Sequence, residues 1–127
     1  MKKKLKLHNV EFLGSVSDHE KYELLSNARI NILPSYREGQ GITILEGWAV
    51  GTPAIVTDDG AMNHAPYLVK KMGAGLAVSV RRLGEAIRIM FEDDEKYQRF
   101  QSKTENVRIY DWEIILQKYL NVLEDLR

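Results

Sequence analysis

Short apolar runs alternate with helically spaced apolar positions along most of this chain. Val10, Phe12 and Leu13, stopped by Gly14, predict a strand over residues 10–13. Ser17 stands three residues before Glu20, the spacing of a capping box. It opens a helix with Tyr22, Leu25 and Ala28 on one face, ending near Asn27 and Ala28. Ile30, Asn31, Ile32 and Leu33 predict a second strand, stopped by Pro34. A loop over 35–41 leads into a helix over about 42–50, with Gly51 just past its end and Pro53 beyond. Residues 54–57 predict a third strand followed by an Asp58-Asp59-Gly60 turn, 65–72 a short helix, and 75–78 a fourth strand.

The period is helical from there on. Leu83, Ala86, Ile87, Met90 and Phe91 recur at three and four, and Tyr97, Phe100, Thr104 and Val107 continue on a second helix. Asp111 caps a last helix whose Trp112, Ile115, Tyr119, Val122, Leu123 and Leu126 are expected to face inward. No hairpin signal joins any two strands, so the connections are crossovers. The expected fold is α/β, with a mostly parallel sheet of about four strands flanked by helices.

Composition narrows the function classes. At 127 residues, 44% apolar and 28% charged, residues 1–127 suit one globular domain. Lys+Arg and Asp+Glu are equal at 18 each, which gives no nucleic-acid footprint. Cysteine is absent, so disulfide and thiolate chemistry are excluded and a reducing, cytoplasmic setting fits. No apolar run approaches the roughly 20 residues of a membrane span. The basic start, MKKKLKLHN, lacks the apolar region of a signal peptide; its Lys2–Lys4 cluster supports at most peripheral contact with a membrane's inner face.

Candidate chemistry concentrates in SYREGQGITILEGWAVGTP, residues 35–53. In an open α/β sheet, ligands bind beyond the carboxyl ends of the strands, where this loop lies. Gly39 and Gly41 allow close approach to the backbone, and the helix starting near Ile42 and Thr43 presents free amides to an anion such as a phosphate. Glu46, one turn further in, has two oxygens that can accept both hydroxyls of a ribose cis-diol, and Glu38 lies across the turn within reach of hydroxyls beyond the phosphates. Together they read as a site for a nucleotide-sugar. Taken singly, a glutamate early in a helix simply suits the dipole, and one in a loop is a solvated acid.

The segment resembles the donor-binding domain of retaining, GT-B-fold glycosyltransferases of the group 1 type. Their hallmark is two glutamates separated by seven residues; here it runs from Glu38-Gly39-Gln40-Gly41 through Glu46-Gly47-Trp48 to Pro53-Ala54-Ile55. NVEFLGSVSDHE, ARINILPSYREG and the tail YDWEIILQKYLNVLEDL resemble the family's flanking segments in the right order. The resemblance implies a Rossmann-like domain that binds a nucleotide-diphosphate sugar for transfer of a hexose-type sugar to a glycan, lipid or small acceptor. It implies that Glu38 positions the donor sugar, that Gly39, Gln40, Gly41, Ile42 and Thr43 hold the sugar and diphosphate, that Glu46 binds the ribose, and that Val16 lies near the base. It implies no metal or other cofactor, the leaving phosphate assisting deprotonation of the acceptor. Trp48, on the motif helix, is expected to report binding.

There are departures. Gln40 replaces the usual aromatic, Gly47 and Trp48 replace Ala and Met, and Asp59-Gly60-Ala61-Met62-Asn63 lacks the family's Glu after the third strand. The resemblance also implies two βα units before residue 10 and an acceptor domain, none of them in this sequence; the last helix packs partly against that domain in the family, so Trp112, Tyr119 or Leu123 is expected to be exposed or at an interface. Residues 4–9 read as the end of a preceding helix. The expected partners are therefore the donor, a missing N-terminal domain or partner chain, and further copies of the chain through self-association; the isolated chain is expected to be catalytically incomplete. The rival readings are a non-catalytic nucleotide-sugar-binding subunit of a split enzyme and a folded remnant. A Rossmann dehydrogenase is disfavoured because no G-x-G-x-x-G follows the first strand. His8, His19 and His64 lack metal-ligand spacing, and His64 reads as a surface residue. Asp58-Asp59 reads as turn chemistry, and Lys70-Lys71 and Arg81-Arg82 as solvated faces.

Overall fold

The computed structural model describes residues 7–125. Its elements, in order, are α1 (Asp18–Asn27), β1 (Asn31–Leu33), β2 (Arg37–Glu38), α2 (Ile42–Ala49), β3 (Ala54–Thr57), β4 (Met62–Asn63), α3 (Ala65–Met72), β5 (Gly75–Val78), α4 (Leu83–Glu92), α5 (Asp94–Ser102) and α6 (Trp112–Asp125). Two 3-10 segments, Val80–Arg82 and Lys103–Tyr110, precede α4 and follow α5.

The main sheet is parallel, in the order β1-β3-β5. Ile32 stands opposite Ile55, and Ile55 opposite Leu76. Buried on both faces, β3 reads as the continuous apolar run of a central parallel strand. Its side chains alternate between two layers. Ala54 and Val56 join Ile44 and Trp48 of α2 and Leu68, Val69 and Met72 of α3. Ile55 joins Ala86 and Met90 of α4 and Phe100 of α5. The Lys103–Tyr110 segment then returns to the first layer, where the Asn106 side-chain amide donates to the carbonyl of Met72 at 2.8 Å.

Helix ends follow local chemistry. Ser17 and Glu20 close the capping box of α1 in both directions. The Glu20 carboxyl is held below its ordinary value by the Ser17 backbone and side-chain hydrogen bonds. The box's contribution is therefore present above the ordinary carboxyl range and fades as pH falls through the lowered value. Gly51 takes a left-handed φ of 85° after α2, as its position predicts.

Arg29 fastens the end of α1 to the opposite layer. Its Nε donates to the Met90 carbonyl at 2.9 Å, Nη2 pairs with Asp94 at 2.8 Å, and the guanidinium lies 4.1 Å from the Tyr97 ring centroid. Arg29→Ala is expected to destabilise the chain by about 1–2 kcal/mol in urea melts, with little rescue by lysine, which lacks the planar fork.

Four sequence expectations need correction. Residues 10–13 form no strand; Phe12 is 70% exposed and Leu13 is exposed too. A strand exists only through its ladder, and among the described residues none lies beside this run or beside the outer edge of β1. The main sheet therefore has three strands rather than about four. In exchange, β2 and β4 form a two-stranded parallel ribbon that no periodicity announces. On α6, Trp112, Tyr119, Val122 and Leu123 are exposed rather than inward; for Trp112, Tyr119 and Leu123 that is the exposure the resemblance implies, against the periodicity. Apolar spacing defines a face but does not say what covers it, and within the described residues α6 packs chiefly on the Lys103–Tyr110 segment. Leu126, the Lys2–Lys4 cluster and most of the helix end expected over 4–9 lie outside the described residues; residues 7–9 are not helical.

Candidate functional site

The loop between β1 and α2 is held from below by a small hydrogen-bonded bed. The Ser35 carbonyl accepts from Thr57 Oγ1 at 3.0 Å and from Asn63 Nδ2 at 2.7 Å. The same Asn63 amide donates to the Thr57 carbonyl at 2.8 Å, and Asn63 Oδ1 accepts from the Ala65 amide that opens α3. β2 pairs with β4 so that Glu38 stands opposite Asn63, and the His64 amide donates to the Glu38 carbonyl at 3.0 Å. The ribbon thus fixes the backbone of Glu38 at the carboxyl ends of β1 and β3.

The chain then turns through Gly39 and Gln40, both exposed, into Gly41, which is buried with φ 64° and ψ 50°. That left-handed geometry suits glycine and aims the first turn of α2 back across the loop. The Gly41 amide donates to Glu38 Oε1 at 3.2 Å, so a carboxylate already rests against the start of α2. Ile42 and Thr43 are exposed in that first turn, where an α-helix leaves its amides without intrahelical partners. Glu46 follows one turn on, half-buried, with its side chain 17% exposed.

Glu46 has a partner that its sequence neighbourhood does not reveal. Lys21 Nζ on α1 lies 2.8 Å from Glu46 Oε1 and 2.9 Å from Asp18 Oδ1. The hydrogen bond to Glu46, and then that to Asp18, raise the Lys21 ammonium above its ordinary range. The ammonium's contribution is full below lysine's ordinary range and fades as pH rises through the raised value. Glu46 also lines an open groove of about 920 Å³ along the outer flank of α2, shared with Tyr22, Gln101, Arg108 and Tyr110.

The predicted site residues 38–43 and 46 thus come together around the start of α2. Of these, Glu46 alone lines the groove beside α2, and Val16 does not line it. It is 37% exposed in the loop before α1 and lines a separate groove with Leu13, Glu20 and Leu24. Trp48 is not a surface reporter: it is 2% exposed and its indole donates to the Ala74 carbonyl at 3.0 Å. Gly47 has a packing reason, since a Cβ there would meet the Asn31 amide at 2.9 Å, and that amide bonds the Thr43 carbonyl. His64 lies beside Glu38 through the ribbon and against the Tyr67 ring, with centroids 5.1 Å apart. Sequence reasoning missed Lys21 and Asn63: one is far from its partner in sequence, and the other sits in a two-residue strand.

Residues 1–107 match the family model of glycosyl transferases, group 1. This chain belongs to that family. It is 31% identical over 117 residues to the N,N'-diacetylbacillosaminyl-diphospho-undecaprenol alpha-1,3-N-acetylgalactosaminyltransferase of Campylobacter jejuni, covering 91% of this chain and 30% of that protein. It is 26% identical over 129 residues to the phosphatidyl-myo-inositol mannosyltransferase of Mycobacterium leprae, covering 93% and 32%. With a glycogen synthase of Mycobacterium tuberculosis it shares 28% over 113 residues, covering 86% and 27%. The chain thus spans about a third or less of the length of each. The family match stops before α6, and the α/β fold with its parallel sheet agrees with a Rossmann-like group 1 domain. Among the described residues no helix is long and apolar enough to cross a membrane.

Proposed function

We propose that this chain binds the nucleotide-diphosphate sugar of a retaining, hexosyl-type glycosyltransferase. The observation that carries this reading is the Gly41 turn, with Glu38 Oε1 on its amide at 3.2 Å and Glu46 one helical turn away. The start of α2 accepts a carboxylate there already, and the diphosphate of a donor suits the same amides and the positive end of the helix dipole. Glu46 receives ribose hydroxyls, and Glu38 receives hydroxyls of the donor sugar. In transfer, the bond from the sugar's anomeric carbon to the leaving phosphate breaks, the acceptor oxygen bonds to that carbon on the same face, and the acceptor proton passes to the leaving phosphate. This chain's share is positioning and charge stabilisation, with no metal required.

Among the described residues, the unpaired outer edge of β1, the exposed Phe12 and Leu13, and the uncovered face of α6 support a division of labour. An acceptor-binding half and further βα units, in the same polypeptide or a partner, complete the cleft at the inner face of a membrane or in the cytoplasm; alone, the chain self-associates through these surfaces. The experiment is an amide NMR titration of the labelled chain with UDP-, GDP- and ADP-sugars. The amides of Gly39, Gln40, Gly41, Ile42 and Thr43 are expected to shift saturably with one of them. Shifts confined to the Val16 groove, or none at all, would remove the reading.

A further inference from the structure

We infer that Lys21 is a positioning residue for Glu46, holding its carboxylate ready for the ribose hydroxyls; this rests on the reading of Glu46 given above. The geometry is specific. Lys21 sits in the first turn of α1, where its own amide donates to the Ser17 carbonyl at 2.9 Å, inside the capping box. Its backbone is therefore fixed at the point from which the side chain crosses to α2. The ammonium is tethered twice, to Asp18 Oδ1 at 2.9 Å and to Glu46 Oε1 at 2.8 Å.

The result is a chain of contacts, Asp18 to Lys21 to Glu46, that ends on a half-buried carboxylate. A glutamate has three rotatable side-chain bonds, and a free one loses rotamer freedom when it engages a ligand. Glu46 has given up that freedom before any ligand arrives. Its Oε1 is occupied, and Oε2 has no protein donor among the described hydrogen bonds. Oε2 is thus the oxygen left to accept from a ligand hydroxyl. Each carboxylate oxygen has more than one acceptor direction, so a second hydroxyl can share Oε1 without displacing the ammonium. Lys21 also offsets the charge of a carboxylate placed close to a diphosphate, which would otherwise repel it.

A merely structural ion pair between α1 and α2 would look the same in a stability measurement. The two are separated by the ligand's sugar hydroxyls. The chain, Lys21→Met and Lys21→Arg are titrated calorimetrically with the best-binding ribonucleoside diphosphate and with its 2′,3′-dideoxy analogue. The wild-type chain is expected to prefer the ribonucleotide by about tenfold or more, as charge-assisted hydrogen bonds imply. Lys21→Met is expected to shrink that preference to about threefold or less while leaving the dideoxy affinity within about twofold, which also shows the variant to be folded. Lys21→Arg retains most of the preference. In a Glu46→Gln background, Lys21→Met then adds nothing.

If Lys21→Met weakens both ligands equally, or neither, Lys21 does not act through Glu46 and the inference fails while the donor-site reading stands. If the wild-type chain binds both analogues equally, or binds neither, the ribose role of Glu46 fails and the inference fails with it.

Discussion

Gly75→Ala is expected to abolish cooperative folding. Gly75 opens β5 directly beside Ala54, with φ at 157°. A Cβ built there would lie 1.9 Å from the Ala54 carbonyl oxygen and 2.8 Å from its carbon. Neither strand can retreat. Ala54 is fully buried in β3, and its amide donates to the Ala74 carbonyl at 3.1 Å. Moving β5 outward would break the ladder that holds Leu76, Ala77 and Val78 against both layers. The clash and strained backbone together are expected to cost about 4 kcal/mol or more, a large part of the 5–15 kcal/mol that stabilises a small domain. Circular dichroism and urea melts check this: loss of the cooperative transition is expected. A variant melting within about 1 kcal/mol of wild type would show that the β3–β5 approach is looser than described.

The second large effect separates site from scaffold. Gly60 follows β3 with φ at 113°, and a Cβ there would lie 2.4 Å from the Tyr36 carbonyl oxygen and 3.2 Å from its carbon. The contact is with the segment just before β2, next to the Ser35 carbonyl that Thr57 and Asn63 hold. Gly60→Ala therefore pushes residues 35–38 off their bed and carries Glu38 and the Gly41 turn with them. The core layers lie elsewhere, so the melt is expected to fall by only about 1–3 kcal/mol, while nucleotide-sugar affinity drops by about tenfold or more. Unchanged affinity would mean that the β2–β4 ribbon does not position the binding loop.

These two glycines also illustrate what the sequence could and could not convey. β3, α3 and β5 occur at the residues their patterns predict, because an unbroken apolar run, a helical spacing and a glycine or proline boundary are all local signals. The capping box of α1 is equally local. That residues 38–43 and 46 gather around the start of α2 was readable, because a glycine turn entering a helix is also a local signal. The β2–β4 ribbon was hidden, since two residues carry no period and their pairing depends on Asn63 and Gly60 arriving from another loop. The Lys21–Glu46 pair was hidden for the same reason: nothing in either neighbourhood names the other. Trp48 was misjudged because residence on a motif helix does not say which side faces the core. Among the described residues, α6 carries an apolar stripe left largely exposed, and the run 10–13 an apolar segment without a ladder. Both depend on what lies beside them rather than on their own residues.

Glu46, one turn into α2, is the centre of the proposed donor site, and its most direct test is calorimetric titration of the chain and of Glu46→Ala with UDP, GDP and ADP. Calorimetry is preferred to tryptophan emission because Trp48 is buried against the core and Trp112, on α6, is 70% exposed. One of the three nucleotides is expected to saturate the wild-type chain, and Glu46→Ala to weaken it by about 1.5–3 kcal/mol, the range for hydrogen bonds to a charged group. Saturation of both proteins with equal affinity, or a folded wild-type chain that binds none of the three, would contradict it.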